Sequence, residues 1–207
     1  HVIKRCLAIN NADIVCCAIP DGEECNQIAD EAIRRGATVF RGSESDVLDR
    51  YNKAAISINS DRVLRITSDC PLIDPTVCEA VIDLLDEEDC DFATNNSPPS
   101  WPHGLDCEAF SADLLAKAAS AATDPYQREH VGPWMRVDNP DVLIKNFPSP
   151  ILGLSGHRWT LDTPIDYAFF QSLFQFMPKD TRSYSYKIPL EIIAANPSIS
   201  SINAIST

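Results

Sequence analysis

"RITSDCPLIDP", residues 65–75, decides how this chain folds. An apolar, β-branched approach through Ile66 and Thr67 stops at Asp69, and Pro71 and Pro75 then bracket a second acid, Asp74. Proline fixes its own backbone and pushes the preceding residue to extended geometry. A strand halted in this way leaves Asp69 at its mouth. Pro75 can then open a helix, because proline is tolerated in a first turn. The spacing predicts a strand over 62–69 ("RVLRITSD") and a helix over 75–88 ("PTVCEAVIDLLDEE").

The neighbouring segments alternate in the same manner. Strands are predicted at 13–20 ("DIVCCAIP"), 38–42 ("TVFRG") and 90–96 ("CDFATNN"). Between them come helices at 22–37, with Gly36 as a stop, and at 45–59, with Ser45 as the N-cap. Residues 1–10 already read as the apolar face of a helix: Val2, Ile3, Cys6, Leu7 and Ile9. Beyond 96 the pattern loosens. A proline-rich loop (97–104) leads to "LDCEAFS" (105–111), which alternates like an antiparallel or edge strand. Helices follow over "ADLLAKAASAAT" and "YQREHVGPWMR", the second broken at Gly132–Pro133. Strands are predicted at 142–147 and 157–162, and helices at 164–177 and 188–203. Such alternation predicts an α/β fold, a mostly parallel sheet with helices on both faces, in one domain spanning 1–207. In such sheets ligands bind outside the carboxyl ends of the strands, where Asp69 falls.

A net charge of -13 argues against an electrostatic nucleic-acid binder. It leaves an anionic substrate open, because a metal ion inverts the local field. No apolar run approaches the roughly 18 residues of a membrane span. The eight cysteines form no C-x-x-C pair and mostly sit inside apolar patterns, which predicts buried thiols and a cytoplasmic protein.

"RITSDCPLID" and "RWTLDTPID" share one design: a strand ending in aspartate, one residue, then proline. If both strands share the sheet, Asp69 and Asp162 face one another across its carboxyl-end crevice. They would then make a hard oxygen site for Mg²⁺, their carboxylates within roughly 4–7 Å. Each aspartate can equally be a helix cap ahead of a first-turn proline. Asp89-Cys90-Asp91 matches the Asp-x-Asp pattern of metal-dependent glycosyltransferases but follows an acidic helix end. A carboxylate beside Cys70 disfavours its thiolate, so Cys70 is no nucleophile.

"VFRGSESDVLDRY", "RITSDCPLIDP", "PHGLDCEAF", "REHVGPWMR" and "HRWTLDTPIDY" occur in an order that resembles the spore-coat polysaccharide biosynthesis cytidylyltransferases, of the acylneuraminate and 3-deoxy-manno-octulosonate cytidylyltransferase superfamily. The resemblance implies a three-layer, Rossmann-like nucleotidyltransferase fold. It implies CTP and Mg²⁺, and transfer of CMP to a sugar hydroxyl, an acidic sugar among the candidates, with release of pyrophosphate. Asp69 and Asp162 take the catalytic metal-ligand roles. Arg41, Ser43 and Asp46 border the nucleotide. Asp106, Glu108, Arg128 and His130 are candidates for the sugar, Asp106 and Glu108 as alternate residues on one strand facing one side. Lys145 and Arg158 read as surface charges. A homodimer is compatible with this assignment. Two other readings stay open: a non-catalytic relative that binds a nucleotide or partner, and a glycosyltransferase using Asp89 and Asp91. The family's first strand and its Gly/Arg/Lys-rich phosphate loop have no counterpart in these residues. The resemblance therefore predicts a gap in the sheet that is filled by upstream residues, closed by direct pairing of its neighbours or filled by a strand from another chain, and, for residues 1–207 alone, weak CTP binding and little transferase activity.

Overall fold

The structure, a computed structural model, describes residues 1–87, 89–180 and 184–204. In chain order the elements are α1 (Val2–Cys6), β1 (Cys16–Pro20), α2 (Asn26–Arg35), β2 (Thr38–Gly42), α3 (Val47–Ser57), β3 (Arg62–Arg65), α4 (Pro75–Glu87) and β4 (Phe92–Thr94). They continue with β5 (Glu108–Ser111), α5 (Ala112–Ala121), α6 (Pro125–His130), β6 (Ile144–Asn146), α7 (Pro164–Leu173), α8 (Lys187–Ala195) and α9 (Pro197–Ser200). No helix among the described residues is long and apolar enough to cross a membrane.

β1 and β2 pair in parallel, Cys16 opposite Thr38 through Pro20 opposite Gly42. A second sheet runs β3-β5-β4-β6. Within it β5 is antiparallel to both β3 and β4, while β6 is parallel to β4. β3, β4 and β6 therefore share one direction, and β5 alone opposes them. The antiparallel reading of this segment holds, but β5 lies inside the sheet rather than at its edge.

The three-layer arrangement follows from period-2 alternation. On β3, β4 and β5, Val63, Phe92 and Phe110 point to one face and join Leu48 of α3 with Leu114 and Leu115 of α5. Leu64, Ala93 and Ala109 point to the other and join Cys78, Val81 and Ile82 of α4 with Cys6 of α1. Val77, Val81 and Ile82 are buried, each contributing about 1.5–3 kcal/mol by its removal from water. A further cluster lies under the C-terminal helices, around Trp101, Trp159, Phe169, Phe170 and Ile193.

Several boundaries differ from the pattern. β3 ends at Arg65, so Asp69 sits on the turn after the strand rather than at its last residue. Residues 157–162 make an isolated bridge, Arg158 opposite His103, and no ladder. Asp46, not Ser45, caps α3, accepting from the Asp49 amide at 3.0 Å. The Asn-Pro stop expected in the last helical stretch is present: α8 ends at Ala195 and α9 begins at Pro197, because proline cannot continue the ladder. Residue 88, the predicted end of the fourth helix, lies outside the described residues.

β1 and β3 belong to separate sheets and do not pair with each other. Between them lies a cavity of about 780 Å³. It is walled by Val15–Pro20 on one side and Arg62–Ser68 on the other, with Cys6 and Ile9 beneath. Of the outcomes expected for the sheet, direct pairing of β1 with β3 is not the one seen.

Candidate functional site

In neither Asp-x-Pro block does the first aspartate cap the helix that follows. In 65–75 the cap is Asp74: its Oδ1 accepts from the Thr76 amide at 2.8 Å and the Val77 amide at 3.2 Å. Asp74 is fully buried and ion-paired with the equally buried Arg5 at 3.9 Å. In 157–167 the cap is Thr163, locked in a capping box with Asp166. Asp69 and Asp162 are left outside this work.

The two blocks meet. The Leu161 amide donates to the Asp69 carbonyl at 2.8 Å, which sets Asp162 beside Asp69 on adjoining backbone. The turn 103–106 is bonded into the same place. The His103 amide donates to the His157 carbonyl at 2.9 Å, and the Trp159 amide to the His103 carbonyl at 2.6 Å. This close approach requires Gly104, whose φ is +112° and whose absent Cβ would lie 2.3 Å from the Trp159 carbonyl oxygen. Asp106 Oδ2 accepts from the Gly104 amide at 3.0 Å and faces His103 Nδ1 at 2.9 Å.

Arg158 reaches further than a surface charge. Its Nε and Nη2 fork onto Asp166 at 2.9 and 3.0 Å, and the same Nη2 lies 2.6 Å from Asp162 Oδ2. Asp166 is 1% exposed, and the Arg158 bonds hold its carboxyl well below the usual carboxylate range. The hydrogen bond to Asp106 raises the pKa of His103 above its ordinary value, with Asp69 adding in the same direction and Arg158 opposing. Burial, then the neighbouring Asp69, pushes the Cys70 thiol up, away from nucleophilic reactivity.

The remaining candidates lie elsewhere in the fold. Arg128 forks onto Asp46, with Nε 3.0 Å from Oδ1 and Nη2 2.5 Å from Oδ2, and its Nη1 donates to the Ala119 carbonyl at 2.5 Å. A nucleotide candidate and a sugar candidate are thus each other's partner, pinning α3 to α5 and α6. Burial pushes Asp46 up, but the bonds from Arg128 and the Asp49 amide outweigh it and lower its pKa. Arg41 ties down the loop after β1, donating to the Gly22 carbonyl at 3.0 Å and Asn26 Oδ1 at 2.6 Å. Ser43 accepts from the Asp46 amide at 3.1 Å. Glu108 and Asp106 do not share a face. β5 begins at Glu108, which is 4% exposed and held by Arg65 at 2.9 Å, whereas Asp106 precedes the strand and faces His103. His130 is exposed, its ring 4.4 Å from that of Tyr126. Lys145 is exposed on β6. Asp91 is bound to its own sheet, accepting from the Leu143 amide at 2.8 Å, so the Asp-x-Asp pattern is a turn-and-strand feature.

Among the described residues no group of three or more His, Cys, Asp or Glu side chains forms a preassembled metal cage. The place where the blocks meet offers two carboxylates on adjoining backbone, a paired histidine and a forked arginine. The lining of the cavity between β1 and β3 includes Thr67 and Ser68, which immediately precede Asp69, and also Pro20, Val47 and Arg50.

A family model described as cytidylyltransferase matches residues 1–151. The chain belongs to the cytidylyltransferase family. It is 32% identical over 209 residues to an uncharacterised protein of Methanocaldococcus jannaschii, covering 98% of this chain and 82% of that one. It is 29% identical over 161 residues to the spore coat polysaccharide biosynthesis protein SpsF of Bacillus subtilis, covering 76% of this chain and 65% of SpsF. A solved cytidylyltransferase from Leptospira borgpetersenii superposes with a TM-score of 0.86 at 28% identity, covering 99% of this chain and 87% of that one. The activity class is CTP-dependent nucleotidyl transfer.

Of the residues at the meeting point, His103, Arg158 and Asp166 escaped the pattern reading. The signal was present: all three lie within four residues of an acid already singled out. A sequence does not reveal that 103 and 158 are bridged across the fold.

Proposed function

We infer that this cytidylyltransferase transfers CMP from CTP to a sugar hydroxyl, an acidic sugar destined for surface polysaccharide, with release of pyrophosphate. One observation carries the reading: Asp69 and Asp162, freed from capping by Asp74 and Thr163, stand on backbone segments joined by the Leu161–Asp69 bond. The kinship with SpsF, whose name refers to spore coat polysaccharide, supports the sugar.

Mg²⁺ fits the donor set. That ion takes one or two carboxylates together with substrate phosphates, and two hard, partly exposed carboxylates on backbone segments bonded to each other match this habit. Asp69 and Asp162 would hold it. The chemistry such an ion supplies is neutralisation of phosphate charge and acidification of a bound hydroxyl. The protein's own share is positioning. The backbone bonds of His103 to His157 and to Trp159 fix the turn that carries Asp106, and the Asp166 fork fixes Arg158. The sugar hydroxyl attacks the α-phosphorus of CTP, and pyrophosphate leaves in line. The setting is the cytoplasm, with which eight unbridged cysteines agree.

The test is pyrophosphate release from CTP with a panel of neutral and acidic sugars, with and without Mg²⁺ or Mn²⁺. Release is expected from CTP over ATP, GTP and UTP, with an acidic sugar, and only with the divalent ion. Metal-independent release, or equal use of all four nucleotides, would overturn the reading.

A further inference from the structure

We propose that Arg158 is an internal counter-ion for Asp162, which keeps bare divalent cations off the Asp69–Asp162 pair and makes cation entry depend on the nucleotide. The proposal rests on the metal-ligand reading of these two aspartates.

The guanidinium of Arg158 has one permanent and one exchangeable partner. The permanent partner is Asp166, 1% exposed, which also accepts from the Thr163 hydroxyl at 2.9 Å, the Thr163 amide at 3.0 Å and the Asn203 side chain at 3.1 Å. So many donors converge on Asp166 that it cannot turn away, and Arg158 stays with it. The exchangeable partner is Asp162, whose side chain is 45% exposed and which Arg158 contacts through the shared Nη2 alone. The backbone beneath does not yield either, since Trp159 is bonded to His103.

Arginine keeps its charge throughout the working pH range. A bare divalent ion approaching Asp162 therefore meets a fixed positive charge and must break a charge-assisted hydrogen bond. A divalent ion arriving on a polyphosphate brings a replacement acceptor: Nη2 leaves Asp162 for a phosphate oxygen while Nε stays on Asp166. The exchange is then one charge-assisted bond for another. Arg158 thus couples two ligands, and such a coupling is reciprocal.

The experiment is titration of Mn²⁺, followed by the paramagnetic resonance of the free ion, into the full chain with and without CTP. Arg158→Gln, which keeps a donor toward Asp166 but no charge, is expected to bind Mn²⁺ alone about tenfold more tightly, the scale of one neighbouring charge acting on a carboxylate. The gain in Mn²⁺ affinity on adding CTP should shrink by a similar factor. Arg158→Lys guards against misfolding of the first variant. An ammonium held by Asp166 cannot span both acids, so Mn²⁺ should bind more tightly than to the parent but less tightly than to Arg158→Gln. Unchanged Mn²⁺ affinity in both variants, with Asp162→Asn weakening it, would overturn the counter-ion and leave the metal ligands standing. Mn²⁺ binding indifferent to Asp162→Asn would overturn the metal reading, and this proposal with it.

Discussion

Gly104→Ala tests whether the site is held together by the close approach of two backbones. Gly104 has φ +112°, and an added Cβ would stand 2.3 Å from the Trp159 carbonyl oxygen and 3.0 Å from the Thr160 amide nitrogen. Both neighbours are main chain and cannot swing aside. Gly36 supplies the control, with φ +92° and nothing within 4 Å of its added Cβ. At Gly36 an alanine costs only the left-handed backbone, about 1–2 kcal/mol, less roughly 0.4–1 kcal/mol returned by a stiffer unfolded chain. At Gly104 the same cost is joined by overpacking, typically about 1–3 kcal/mol. The expected losses are about 1 kcal/mol for Gly36→Ala and about 2–4 kcal/mol for Gly104→Ala, read from urea denaturation midpoints. The relief of that clash should also part the 103–106 turn from 157–159, so exchange protection at the Trp159 amide should fall in Gly104→Ala and not in Gly36→Ala. Equal losses for the two variants, with Trp159 protection unchanged, would refute the claim that this contact holds the site.

Asp162→Asn should lower pyrophosphate release about 100-fold, on the scale of a lost transition-state electrostatic contact, while the denaturation midpoint moves little; an active variant would remove Asp162 from the mechanism. Arg5→Met should cost about 3–5 kcal/mol, because it strands the buried Asp74 carboxylate, and Asp74→Asn in the same chain should recover part of it; a loss under about 1 kcal/mol by denaturation would show that the pair carries no weight. His103 has a raised pKa, so its stabilisation is complete below the unfolded value near 6.5 and fades as pH rises through the folded value. His103→Gln should therefore cost a fraction of a kcal/mol at pH 6 and nothing by about pH 9, the exposure of the pair keeping the effect small; a loss independent of pH would count against the His103–Asp106 bond.

Short-range chemistry was legible in the residues. Proline stops, apolar periodicity and the Gly36 terminus are local effects, and they located nearly every helix and most strands of the α/β fold. The candidacy of Asp69 and Asp162 was legible because the same Asp-x-Pro grammar occurs twice; that the two blocks are joined through the Leu161–Asp69 backbone bond was not. What the grammar could not say is which acid in each block is drawn into the helix cap, Asp74 as the cap itself and Asp166 as the partner of Thr163. That was decided by where a burying partner waited: Arg5 and the Tyr186 amide for Asp74, Arg158 and Asn203 for Asp166. Tertiary structure also decided that Asp46 and Arg128, 82 residues apart, are hydrogen-bonded to each other. It turned Glu108 inward to Arg65 and left Asp106 with His103. The reason is common to all of these. A charged side chain near the interior takes the nearest opposite charge or oriented backbone group, because burying it unpaired is costly. Its neighbour in space is set by the sheet order β3-β5-β4-β6 and the bridge at 103 and 158, long-range facts that no window of sequence contains.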